Sequence, residues 1–147
     1  MQTLDLEVRR LVYEHFLTTG RAPTSAGLAG ELAVTEPYAA NALGRLAGDH
    51  MLVLKPSSTE ILMAHPFSAV PTDFEVVAAD KNWWANCVWD ALGILVMTGQ
   101  DGRVETTCPD CGEPLKLEVI AGELAATEAI AHFAVPAADW WEDIVFT

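Results

Sequence analysis

Hydrophobic positions in the first third of the chain recur at helical spacing. Leu4, Val8, Leu11, Val12 and Phe16 fall on one side of a helix running from about residue 4 to 18. "TTGRAPTSAGLAGEL" then supplies a glycine, a proline and an N-cap residue, Thr24 or Ser25, ahead of a short second helix. "VTEPYAANALGRLAGDH" predicts a third, with Thr35 as N-cap, Pro37 in the first turn, and Tyr38, Leu43 and Leu46 as apolar anchors. Two β-prone runs follow, "MLVLK" and "EILMA", separated by the turn-like "PSST". Three helices and a hairpin predict a winged helix-turn-helix-like domain over residues 1–64.

The pattern changes register at "HPFSAVPTDFEVVAADKN", which carries two prolines and marks the expected boundary. Beyond it, a helix is predicted from about Trp83 to Met97, then a turn at "TGQDG". "RVETT" and "LKLEVI" read as strands flanking "CPDCGEP"; "IAHFAVP" reads as a strand ended by Pro136. "AADWWEDIVFT" predicts a short helical turn and one more strand. The expectation is an α+β fold: the N-terminal domain packed on a second, smaller α+β domain over residues 65–147.

Composition narrows the function. With 147 residues, 51% of them hydrophobic, the chain can bury a core. No apolar run reaches the roughly 20 residues that span a membrane. The charged N-terminus "MQTLDLEVRR" lacks a signal-peptide core, so a cytoplasmic location is expected. Eight basic residues face 21 acidic ones, a net charge of −13. This balance opposes nucleic-acid binding, which needs clustered Lys and Arg. The third predicted helix offers only Arg45, and residues after 60 carry a charge of −11. Three cysteines read as thiols, ligands or nucleophiles rather than as a disulfide framework.

The chemistry concentrates in "NWWANCVWDALGIL". On the predicted helix Trp83, Cys87, Asp90 and Ile94 share a stripe, with Asp90 about one turn from the Cys87 sulfur. Burial raises a carboxyl or thiol pKa unless charge or hydrogen bonds compensate. A protonated carboxyl can deliver a proton while a neighbouring sulfur binds a soft metal. The spacing is equally that of a small buried thiol with an edge carboxylate. In "CPDCGEP", Cys108 and Cys111 resemble half of a zinc knuckle, whose other donors would have to be distant: Cys87, Asp90 or His132. His15, His50 and His65 read as structural or exposed. Neither a phosphate-binding glycine loop nor G-x-S-x-G is present.

The ordered stretch "NWWANCVWDALGILVMTGQDGRVETTCPDCGEPLKLEV" resembles the core of the alkylmercury lyase family, and the likeness extends through "HFAVPAADWWEDIVFT". The resemblance implies protonolysis of a carbon–mercury bond, yielding a hydrocarbon and Hg(II). It implies Cys87 as the catalytic, mercury-binding thiol and Asp90 as a metal-binding and proton-transferring carboxyl. Cys108 matches a structural cysteine of the family, and Cys111 matches no catalytic one. No added cofactor is implied. The expected partners are a small organometallic substrate and external thiols that remove the Hg(II) product. The family pattern also has a second catalytic cysteine beyond the hairpin, whereas no cysteine follows Cys111 in this sequence. The alternative is therefore a non-catalytic binder of zinc or a soft metal through Cys87, Cys108 and Cys111.

Overall fold

A computed structural model describes residues 3–145. Three helices open the chain: α1 (Thr3–Thr19), α2 (Ser25–Leu32) and α3 (Glu36–Gly48). On α1 the predicted stripe closes on the core, with Val8, Val12 and Phe16 fully buried. Thr24 caps α2, its Oγ1 accepting from the Gly27 N–H at 3.0 Å. Ser25 instead donates to Glu36 Oε1 at 2.8 Å, linking the starts of α2 and α3. Thr35 and Pro37 occupy the predicted positions at the start of α3, although Thr35 makes no side-chain cap bond. Arg45 of α3 donates twice to Asp5 Oδ1, at 2.7 and 3.0 Å, and Asp5 is only 2% exposed.

Among the described residues, eight strands form one antiparallel sheet, ordered β1-β2-β3-β5-β4-β6-β7-β8. They are β1 (Val53–Leu54), β2 (Ile61–Ala64), β3 (Phe67–Ser68), β4 (Glu75–Ala78), β5 (Lys81–Ala85), β6 (Gly102–Thr107), β7 (Pro114–Ile120) and β8 (Glu123–Leu124). β2 pairs with β3, so the sheet runs continuously through the proline-bearing stretch. Helix α4 (Val88–Thr98) packs on β4, β5, β6 and β7 through buried Ala91, Ile94 and Leu95. The join between α1 and the sheet is aromatic: Phe16 stacks on Phe67 at 5.1 Å, and Trp83 Nε1 donates to the Phe16 carbonyl at 2.8 Å.

Two glycines permit close approaches. Gly20, at φ +72, ends α1 where a Cβ would lie 2.5 Å from the Asn82 carbonyl oxygen. At Gly102 a Cβ would lie 2.6 Å from the Val77 oxygen and 2.7 Å from Leu95 Cδ2, so the residue lets α4 settle onto the sheet.

The structure departs from the sequence expectations at four places. The predicted helix at Trp83 begins instead at Val88, because Lys81–Ala85 pairs with β4 on one side and β3 on the other. Trp83 is thus a strand residue facing the core, and the Trp83–Cys87 stripe does not exist. The register-changing stretch supplies β3 and β4. "IAHFAVP" is not a strand: residues 125–133 have no regular structure, and Ala137–Glu142 forms a 3-10 turn. The last predicted strand is a turn at 144–145, and its final two residues lie outside those described.

Candidate active site

The junction between β5 and α4 places the chemistry. β5 ends at Ala85, Asn86 bridges the gap, and Cys87 is the N-cap of α4 in extended conformation (φ −152°, ψ 176°). Its Sγ accepts from the Asp90 backbone N–H at 3.4 Å, in the manner of a capping hydroxyl. The cap geometry therefore puts the sulfur one helical turn before the carboxylate. The relation expected from sequence holds, but between a cap and the first turn rather than along a helix stripe.

Asp90 is held by two groups that sequence reasoning did not single out for the site. Asn86 Nδ2 donates to Asp90 Oδ2 at 3.0 Å, and His65 Nδ1 lies 3.5 Å from the same oxygen. The same Asn86 amide approaches the Pro66 carbonyl at 3.2 Å, the Phe67 carbonyl at 3.4 Å and His65 Nδ1 at 3.3 Å. One side chain thus ties the helix start to the turn between β2 and β3, where the His65–Pro66 peptide is cis. Tyr13 of α1 donates to the His65 carbonyl at 2.9 Å. Two buried polar atoms here, His65 Nε2 and Asn86 Oδ1, have no hydrogen-bond partner. Both atoms are left able to bond a water or a ligand group at this junction. The available signals were an Asn next to a Cys at a strand-to-helix junction and a His-Pro pair after a strand. Neither is specific without the contacts.

These groups open into a cavity of about 570 Å³. Cys87, Asp90, Asn86 and His65 form its polar side, while Met63, Phe74, Phe133 and Val135 contribute apolar wall. The C-terminal turn closes it with Trp140 and Trp141. Trp140 Nε1 donates to the Val135 carbonyl at 2.8 Å, and its ring lies 5.4 Å from Phe133. Trp141 stacks on His50 at 4.2 Å and meets His65 edge-on at 5.9 Å. His50 and His65, read from sequence as structural or exposed, therefore buttress the cavity. His132 also lines it. Trp89 does too, yet remains 71% exposed at the rim.

Burial pushes the Cys87 thiol up from its ordinary range, and the Asp90 carboxylate adds to this; the Asp90 N–H opposes it. Cys108 and Cys111 sit apart, on the tip between β6 and β7, and do not line the cavity. Among the described residues no group of three or more His, Cys, Asp or Glu is arranged to hold a metal ion. A soft metal entering the cavity would meet one thiol and one carboxylate beside an apolar wall.

Comparison with known proteins bears on this arrangement. A family model described as MerB, alkylmercury lyase, matches residues 67–147. Among solved structures the fold is similar to a "crystal structure of the mercury-bound form of MerB2" (TM-score 0.69, 21% identity). That likeness covers 87% of this chain, which spans 61% of the length of the other. No curated protein matches the sequence. The family match covers more than half of the chain, β3 to the C-terminal turn, and includes both Cys87 and Asp90: the chain belongs to the alkylmercury lyase family.

Proposed function

We propose that this protein cleaves the carbon–mercury bond of a small organomercurial, with Cys87 and Asp90 as its catalytic residues. The observation that carries the reading is the Cys87–Asp90 pair at the start of α4, facing an apolar-walled cavity. Family membership supports it, and the neighbouring structure was solved with mercury bound.

The geometry suggests an order of events. The organic group lies against the Phe133, Trp140 and Phe74 side, where burial of apolar surface favours it. The Cys87 sulfur displaces the ligand opposite the carbon. Its thiol proton, acidified by the metal, passes to the Asp90 carboxylate one turn away. Sulfur coordination pushes electron density onto the carbon; the Asp90 proton then forms the C–H bond as the C–Hg bond breaks. The hydrocarbon leaves, and Hg(II) remains between the Cys87 sulfur and the Asp90 oxygen. Charge balances: an organomercury cation, a thiol and a carboxylate become a neutral hydrocarbon and a neutral thiolate–Hg–carboxylate. Asn86 and His65 keep Oδ2 in place throughout, acting as positioning residues. External thiols remove the metal.

The three helices and the β1–β2 hairpin fit the winged-helix-like reading of residues 1–64, with the remainder as the catalytic unit. This module serves packing rather than nucleic acid: Arg45, the basic residue of α3, is committed to Asp5. No helix among the described residues is long and apolar enough to cross a membrane.

Incubation with phenylmercury in excess thiol tests the reading. Benzene release that disappears in both Cys87→Ser and Asp90→Asn supports it. Mercury bound without benzene in the parent protein would favour the non-catalytic binder instead. Cys87→Ser is a clean probe, because serine is a good N-cap and leaves α4 anchored.

A further inference from the structure

The tip between β6 and β7 carries a second arrangement of thiols that the proposed reaction does not use. β6 and β7 pair in register up to Thr107 and Pro114, which brings the ends of "CPDCGE" together. The turn is closed by the Cys108 N–H donating to the Glu113 carbonyl at 2.8 Å and by the Gly112 N–H donating to the Cys108 carbonyl at 2.9 Å. Gly112 takes φ +74, which folds the chain back after Cys111. With only two residues between them, the closed turn sets both free thiols at this one tip, Cys108 half-buried and Cys111 exposed. The loop is open to solvent: residues 109–114 are exposed.

Ligand number decides which metal such a loop suits. Tetrahedral zinc needs four donors, or three and a water. Among the described residues no third His, Cys, Asp or Glu joins the two sulfurs. Two thiolates alone satisfy a soft cation that accepts linear two-coordination. We propose that Cys108 and Cys111 form a second, solvent-facing site that chelates one soft two-coordinate cation, Hg(II) being the probe of choice, as a bis-thiolate. Binding replaces two S–H bonds by two S–Hg bonds and releases two protons; no redox change occurs. The site stands independently of the lyase reading, since Cys87 takes no part in it.

The test uses reduced full-length Cys87→Ser protein, titrated with Hg(II) against a competing monothiol. The expected result is one mercury per chain, loss of two titratable thiols and release of two protons, with the protein keeping its oligomeric state. The second thiol acts at an effective concentration of about millimolar or more. Cys108→Ser or Cys111→Ser, added to Cys87→Ser, should therefore weaken retention at least ten-fold against about 0.1 mM monothiol. Binding through one thiol, equal retention by the single-thiol variants, or one mercury shared by two chains would overturn the proposal. All of these readouts are free of hydrocarbon release, so they are separable from failure of the lyase reading.

Discussion

At the residue scale, the central feature is a thiol used as a helix cap. A Cys at the N-cap is an unusual choice, since Ser, Thr, Asp and Asn accept the orphan N–H better. Here the poorer cap places a soft ligand next to the Asp90 carboxyl, which is 18% exposed. Burial and the nearby carboxylate push the Cys87 thiol up from its ordinary range, whereas hydrogen bonds draw the Cys108 thiol in the opposite direction. Alkylation with iodoacetamide followed by peptide mapping should therefore label Cys108 first at neutral pH. Labelling of Cys87 should rise only as pH climbs past the ordinary thiol pKa; faster labelling of Cys87 at pH 7 would contradict this account. Asn86 is the other residue to probe. Asn86→Ala removes the donor to Asp90 and its approach to the Pro66 and Phe67 carbonyls, and should cost about 1–3 kcal/mol in denaturant unfolding. If the variant folds, turnover should fall while organomercurial binding persists, as expected of a positioning residue.

At the element scale, helices α1 to α3, the β1–β2 hairpin and β6–β7 were legible because each has one dominant period and clear punctuation. The start of α4 was not. "KNWWANC" is apolar enough for either state, and periodicity alone cannot separate a short buried strand from a helix. Pairing decided it: β5 is flanked by β3 and β4, and its Trp83 and Ala85 face the core. Likewise "IAHFAVP" has a strand-like pattern, but its Phe133 and Val135 are used as cavity wall. The seating of α4 depends on Gly102. Gly102→Ala would push a methyl into the Val77 carbonyl and Leu95, and should destabilise the fold by about 1–3 kcal/mol, read as a lowered unfolding midpoint. An unchanged midpoint would mean that α4 can lift without cost.

At the scale of the whole molecule, the N-terminal helices and the site are mechanically joined. Phe16, Tyr13 and Trp83 connect α1 to the sheet; His50, just after α3, stacks on Trp141 at the cavity wall. That Cys87 and Asp90 lie one turn apart was readable from spacing. Their support was not, because His65, Asn86 and Trp141 come from three separate regions of sequence and meet only in three dimensions. Trp141→Ala should open the cavity, raising KM for phenylmercury more than it lowers kcat; an effect confined to kcat would place Trp141 in the chemical step instead. The ion pair of Arg45 with buried Asp5 fastens α3 to α1, and Arg45→Ala, which leaves the Asp5 carboxylate without this partner, should lower the unfolding midpoint.

A single turnover without external thiol tests the central claim most directly. Cys108→Ser/Cys111→Ser protein, which keeps Cys87 as its one thiol, is mixed with one equivalent of phenylmercury, and benzene and protein mass are followed together. The account predicts one benzene per chain and a mass increase of one mercury at a Cys87 that no longer alkylates. In the same background, Asp90→Asn should retain the phenylmercury adduct intact. An intact phenylmercury adduct on the Asp90-containing protein, with no benzene, would show that Cys87 and Asp90 bind the metal without breaking its bond to carbon.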